Sequence, residues 1–123
     1  MSDLPKISEA EWIVMRIIWN KKKCTANEII ESLENNQDWK PKTIKTLISR
    51  LCQKNAIAFE ESGRNYIYFP LVNENECIKT ENRSFLKRVY GGALKTMFVN
   101  FIEDNDLSNE EIEELKRILN ERK

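Results

Sequence analysis

The apolar positions of the chain change period twice. From Glu9 to about Asn20, Trp12, Met15, Ile18 and Trp19 fall on one stripe at helical spacing, which predicts an amphipathic first helix. Lys21 to Cys24 forms a basic connector, and Thr25 opens a short second helix with Ile29, Ile30 and Leu33 inward. After a polar turn at Asn35 to Asp38, Pro41 sits where a first helical residue belongs, because its missing N–H costs nothing there. The third helix runs to about Lys54, with Ile44, Leu47, Ile48 and Leu51 on its buried stripe and Asn55 suited to a left-handed C-cap. The period then shortens. Ile57 to Glu61 and Tyr66 to Phe69 are β-prone runs flanking Ser62-Gly63-Arg64-Asn65, a hairpin turn, and Pro70 ends the second strand. From Asn73 the helical period returns, broken at Gly91-Gly92 and at Asp104 to Leu107.

The helix starts carry their own punctuation. Ser8 with Glu11, Thr25 with Glu28, Asn73 with Glu76 and Ser108 with Glu111 have capping-box spacing or its asparagine analogue. In each, a short polar side chain can satisfy an early helix N–H, and the glutamate suits the positive helix end. Three short helices followed by a hairpin is the order of a winged helix, in which the third helix enters the major groove. The expected fold is therefore mainly α: residues 1–72 a winged helix-turn-helix with a small β-hairpin wing, residues 73–123 a three-helix dimerisation domain.

The second half motivates the dimer. Phe85, Val89, Tyr90, Leu94, Met97, Phe98, Phe101 and Ile102 form a dense apolar series, and Ile112, Leu115, Ile118 and Leu119 a final seam. Three helices of about 50 residues cannot easily bury all this alone. A second copy of the chain is the simplest partner, since homo-oligomers are mostly two-fold dimers.

Composition narrows the function. Hydrophobic residues make up 41% and charged residues 33%, a globular balance. No apolar run approaches the ~20 residues of a membrane span. Met1 to Glu11 is acidic and polar without the apolar core of a signal peptide, so a cytoplasmic protein is expected. Net charge is zero, but the charges are segregated. Lys40, Lys42, Lys45, Arg50 and Lys54 fall in one stretch without an acidic residue, whereas Glu103 to Glu121 is strongly acidic. Histidine is absent, which removes the commonest general base and metal ligand. Cys24, Cys52 and Cys77 lie far apart and match neither a zinc site nor a disulfide framework. They read as reduced, partly buried thiols. With three glycines and no phosphate loop, no enzymatic constellation emerges, and no cofactor, metal or small-molecule ligand is expected.

The third helix is the candidate site. Its buried stripe leaves Lys42, Thr43, Lys45, Thr46, Ser49 and Arg50 outside it, a face of cations and short hydroxyls without a carboxylate. Lysine and arginine neutralise phosphates or reach guanine, hydroxyls bond phosphates or base edges, and a threonine methyl can touch thymine. An ordinary solvated face is the alternative, although such faces normally mix signs. Arg64 at the hairpin tip is placed to reach a flanking phosphate, while Glu60 and Glu61 make the wing less basic. Trp39 either packs against the helix start or stacks near the DNA backbone.

Certain segments resemble the BlaI/MecI family of penicillinase repressors, over nearly the whole length. They are Ile7-Ser-Glu-Ala-Glu-Trp12, Trp39-Lys-Pro-Lys-Thr-Ile-Lys-Thr-Leu-Ile-Ser-Arg-Leu51, Val89-Tyr-Gly-Gly92, Val99-Asn-Phe101 and Glu110-Glu-Ile-Glu-Glu-Leu115. The resemblance implies a homodimer that represses β-lactamase or penicillin-binding-protein genes at palindromic operators with TACA/TGTA half-sites. It also implies induction by a membrane sensor metalloprotease and cleavage of the repressor at an Asn-Phe bond, matched here by Asn100-Phe101. The chain departs from the family pattern at Lys40, where serine is expected as N-cap, at Cys52 for tyrosine, at Asn55 for glycine, and in the acidic wing. A copper-responsive branch carries cysteine-rich C-terminal metal motifs, which the ending Asn120-Glu-Arg-Lys123 lacks, so metal sensing is not expected. A winged-helix regulator of unrelated genes and a winged-helix protein-interaction module remain the alternatives.

Overall fold

The computed structural model describes residues 4–122. Among them six helices and one hairpin follow in the order α1 (Glu9–Lys21), α2 (Ala26–Leu33), α3 (Pro41–Gln53), β1 (Ile57–Ser62), β2 (Asn65–Pro70), α4 (Glu74–Tyr90), α5 (Leu94–Asp104) and α6 (Asn109–Glu121). The caps explain the boundaries. Ser8, Thr25 and Ser108 each close a full capping box with the glutamate three residues on. Asn73 supplies one half of the pattern, its Oδ1 accepting from the Glu76 N–H at 2.9 Å. The described residues divide into two compact units between Ile78 and Lys79, inside α4.

The first unit holds the core. Val14, Met15 and Ile18 of α1, Ile29 and Leu33 of α2, Ile44, Leu47, Ile48 and Leu51 of α3, and Ile57 of β1 are buried together. Trp12, Trp19 and Trp39 pack against this cluster from its edge. Trp39 thus has the packing role, and Trp19 adds a bond from its indole N–H to the Val72 carbonyl at 3.0 Å. β1 and β2 pair antiparallel with Ile57 opposite Pro70 and Ser62 opposite Asn65. Gly63 takes φ +63° in the two-residue turn, a conformation that glycine adopts without the steric cost of a Cβ. Cys24 adds an unanticipated bridge to the hairpin: it exchanges two backbone hydrogen bonds with Tyr68, at 3.0 and 2.7 Å. The segment between α1 and α2 thereby ties the wing to the helices.

The second unit is different in kind. No described residue after Cys77 is buried. Phe85 does meet Tyr90 and Phe101, with ring centroids 6.0 and 6.2 Å apart. Yet Val89, Leu94, Ile118 and Leu119 each leave more than half of their surface open. The helices are locally well specified and lack an enclosed core of their own.

Candidate nucleic-acid interface

Helix α3 is held by its apolar stripe and by its ends. Ile44, Leu47, Ile48 and Leu51 are all buried. Lys40 occupies the N-cap position without a side-chain bond, so Pro41 alone defines the start. At the other end Asn55 adopts φ +62°. The Ala56 N–H then reaches the Leu51 carbonyl and the Asn55 N–H the Cys52 carbonyl, both at 3.0 Å, the paired bonds of a Schellman motif. Asparagine tolerates this left-handed position better than most residues, because its side chain can bond locally.

So fixed, α3 exposes Lys42, Thr43, Lys45, Thr46, Ser49 and Arg50. Among the described residues, none of the ion pairs involves Lys42, Lys45 or Arg50. Their charge is uncompensated and available to an anion. Thr46 is the most constrained of the set. Its hydroxyl donates to the Lys42 carbonyl at 3.0 Å. The hydroxyl hydrogen is thus committed, and Thr46 offers outward a methyl group, which suits a thymine methyl, and a lone pair, which suits the amino group of adenine or cytosine.

The hairpin completes the surface. Lys45 and Arg64 line one cleft of about 210 Å³ with Thr25, Asn27 and Tyr66, so the structure brings the wing-tip cation to the same recess as the helix. A neighbouring recess of about 300 Å³ lies between Ser49 and Cys52 of α3 and the aromatic side chains Phe59, Tyr66 and Tyr68. Phe59 and Tyr66 stack with centroids 4.5 Å apart and remain largely exposed. Glu60 meets Lys23 at 3.1 Å, which partly offsets its charge, although both groups are solvated and the pair is weak. Burial pushes the Cys24, Cys52 and Cys77 thiols up from their ordinary value.

One member of the basic run is not part of this face. The Lys54 ammonium donates to the Glu11 carboxylate and to the Lys6 carbonyl, the latter at 2.8 Å. Glu11 is 2% exposed and is the only buried charged residue among those described. Burial pushes its carboxyl up, but bonds from Lys54 and the Ser8 N–H, with the Lys54 charge, outweigh this and hold it below the ordinary 4.5.

In the second unit, Phe85, Tyr90, Met97, Ile112 and Leu115 are half-buried, while Val89, Leu94, Phe98, Phe101, Ile102, Ile118 and Leu119 are exposed. Asn100 and Phe101 lie in the middle of α5 and are both exposed.

A profile of the penicillinase repressor family matches residues 7–121. The chain belongs to that family. It is 42% identical over 123 residues to the penicillinase repressor of Bacillus licheniformis, covering 100% of this chain and 96% of the relative. It is 44% identical over 117 residues to the methicillin resistance regulatory protein MecI of Staphylococcus aureus strain N315, covering 95% of each. The solution structure of the Bacillus licheniformis BlaI monomeric form in complex with the blaP half-operator aligns with a TM-score of 0.55 at 38% identity, covering 62% of this chain and 93% of that one.

Membership identifies the first unit as the family's winged helix and the chain as a repressor, not an enzyme. Asn55 holds the left-handed position after α3, and Cys52 lies half-buried beside the wing. The sequence groups Lys54 with the basic stretch of α3. Only its partner, distant in sequence, shows that it turns inward.

Proposed function

We propose that the protein is a cytoplasmic repressor that binds palindromic operator DNA as a homodimer, controls β-lactamase or penicillin-binding-protein genes, and is inactivated by cleavage at Asn100-Phe101. The observation that carries the DNA-binding reading is the exposed cation-and-hydroxyl face of α3, whose cations enter no ion pair among the described residues, in a family whose relative is described bound to a half-operator. In this reading α3 enters the major groove. Lys42, Lys45, Arg50 and Arg64 neutralise phosphates or reach guanine, and Thr43, Thr46 and Ser49 make the short-range contacts to base edges and backbone.

The dimerisation role of residues 73–123 rests on the second unit, whose apolar side chains have no enclosed core within one chain. Pairing two copies would bury Phe85, Leu94, Phe98, Phe101, Ile102 and Leu119 and hold two heads one helical turn apart, or a whole number of turns, about 34 Å each. Cleavage between Asn100 and Phe101, by a membrane sensor metalloprotease of the kind that the family resemblance implies, would cut α5 and separate α6 from the rest. The heads would keep their recognition residues and lose the high effective concentration of the second head. The test is a chain with a specific protease site inserted between Asn100 and Phe101. The clipped form is expected to be monomeric by sedimentation and to lose operator binding. A clipped form that dimerises and holds the operator like the intact chain would refute the mechanism.

A further inference from the structure

The position of Lys54 separates two jobs that the basic run had merged. It is the C-cap residue of α3. Its side chain retains 36% of its surface and its ammonium turns to Glu11, which is 2% exposed. Glu11 is itself fixed twice over. It lies in the first turn of α1, and its Oε1 accepts the Ser8 N–H at 2.9 Å, the returning half of the α1 capping box. The same lysine reaches the Lys6 carbonyl, in the segment leading into α1. One cation therefore joins three parts of the chain: the C-terminal end of α3, the first turn of α1, and the segment ahead of α1, which holds buried Ile7. The buried stripe seats α3 on the core, and a charge-assisted bond at its C-terminal end adds a directional restraint between α3 and α1.

We propose that Glu11 and Lys54 are positioning residues for DNA recognition: they set the angle of α3 on α1 and thereby the aim of Thr43, Thr46 and Ser49, without touching DNA. The proposal rests on the reading of α3 as the recognition helix. Long lysine and arginine side chains follow phosphates across small tilts, whereas short hydroxyl side chains do not. Loss of the latch therefore removes discrimination and leaves the electrostatic component of binding in place.

The test uses the full chain with Glu11→Gln, Lys54→Met and Lys54→Arg, titrated by fluorescence anisotropy. One duplex carries a TACA/TGTA palindrome and the other the same bases scrambled, over a series of salt concentrations. Glu11→Gln and Lys54→Met are expected to weaken palindrome binding by roughly tenfold, an effect of about 1.4 kcal/mol. Scrambled-duplex affinity and both salt slopes should stay unchanged, and Lys54→Arg should restore the preference. A salt slope lower by ~0.9 in Lys54→Met would make Lys54 a phosphate contact and overturn the proposal. Equal weakening on both duplexes would reduce the pair to a stabilising contact and also overturn it. Residual dipolar couplings give the angle between α1 and α3 without DNA. A shifted angle in Glu11→Gln supports the latch and an unchanged one contradicts it, even where the wild type prefers neither duplex, a result that would fault the operator reading alone.

Discussion

The side-chain amide of Asn100 donates to the phenol oxygen of Tyr90 across 3.2 Å, joining the middle of α5 to the last residue of α4. Gly91 and Gly92 lie between the two helices with φ of +58° and +90°, and their N–H groups donate to the Lys87 and Leu86 carbonyls, each at 3.1 Å. The Tyr90 bond and the Phe85–Phe101 contact add side-chain links between α4 and α5 on either side of the bond proposed for cleavage.

It follows that Tyr90→Phe should open α5 locally. The bond is exposed, so its loss should raise amide exchange at Asn100 and Phe101 by only about two- to fivefold, with α6 exchange unchanged. Unaltered exchange would show that packing alone closes the hairpin.

On the recognition face, Thr46→Ala and Lys42→Ala should fail in different ways. Thr46→Ala loses a methyl and an acceptor and should cost ~1–3 kcal/mol of discrimination at one base position. Lys42→Ala should weaken binding to every sequence and flatten the salt slope by ~0.9. Binding titrations on point-substituted duplexes separate the two. Unchanged affinity in both variants would move the interface off α3.

The Glu11–Lys54 pair has a pH signature. Its folded pKa lies below the ordinary 4.5, so the stability it contributes is fully present above that value and is lost as pH falls through the folded pKa. Glu11→Gln should therefore be less stable than the wild type at neutral pH, with the deficit shrinking on acidification below about 4.5. Urea unfolding at several pH values checks this, and a deficit independent of pH would remove the ion pair as its cause.

Assembly has its own variant. Phe101 leaves 48% of its surface open in one chain and sits amid exposed Phe98 and Ile102. Phe101→Ala should weaken the proposed dimer while the winged helix keeps its stability, read by sedimentation velocity and thermal unfolding together. If Phe101 becomes fully buried in the dimer, the loss is on the order of 3–5 kcal/mol. A dimer of unchanged strength would place the contact elsewhere.

The capping boxes at Ser8, Thr25 and Ser108 were legible because each is a local device, complete within four residues. The α3 stripe was legible for a related reason: helical period and burial coincide there. What was not legible depended on tertiary pairing. Lys54 meets Glu11 from 43 residues away, and nothing in a run of basic residues marks the one that turns inward. The Cys24–Tyr68 bridge is equally long-range, and Cys24 lies in a connector without strand periodicity. Lys22 adopts φ +70° just after α1, although lysine carries no preference for that region.

Sequence reading by the exposed face of α3 is measured by anisotropy titration of the intact chain against the TACA/TGTA palindrome and its scrambled counterpart at one salt concentration. The palindrome is expected to bind at least ~10³-fold tighter. Equal affinity for the two duplexes would mean that α3 does not read sequence.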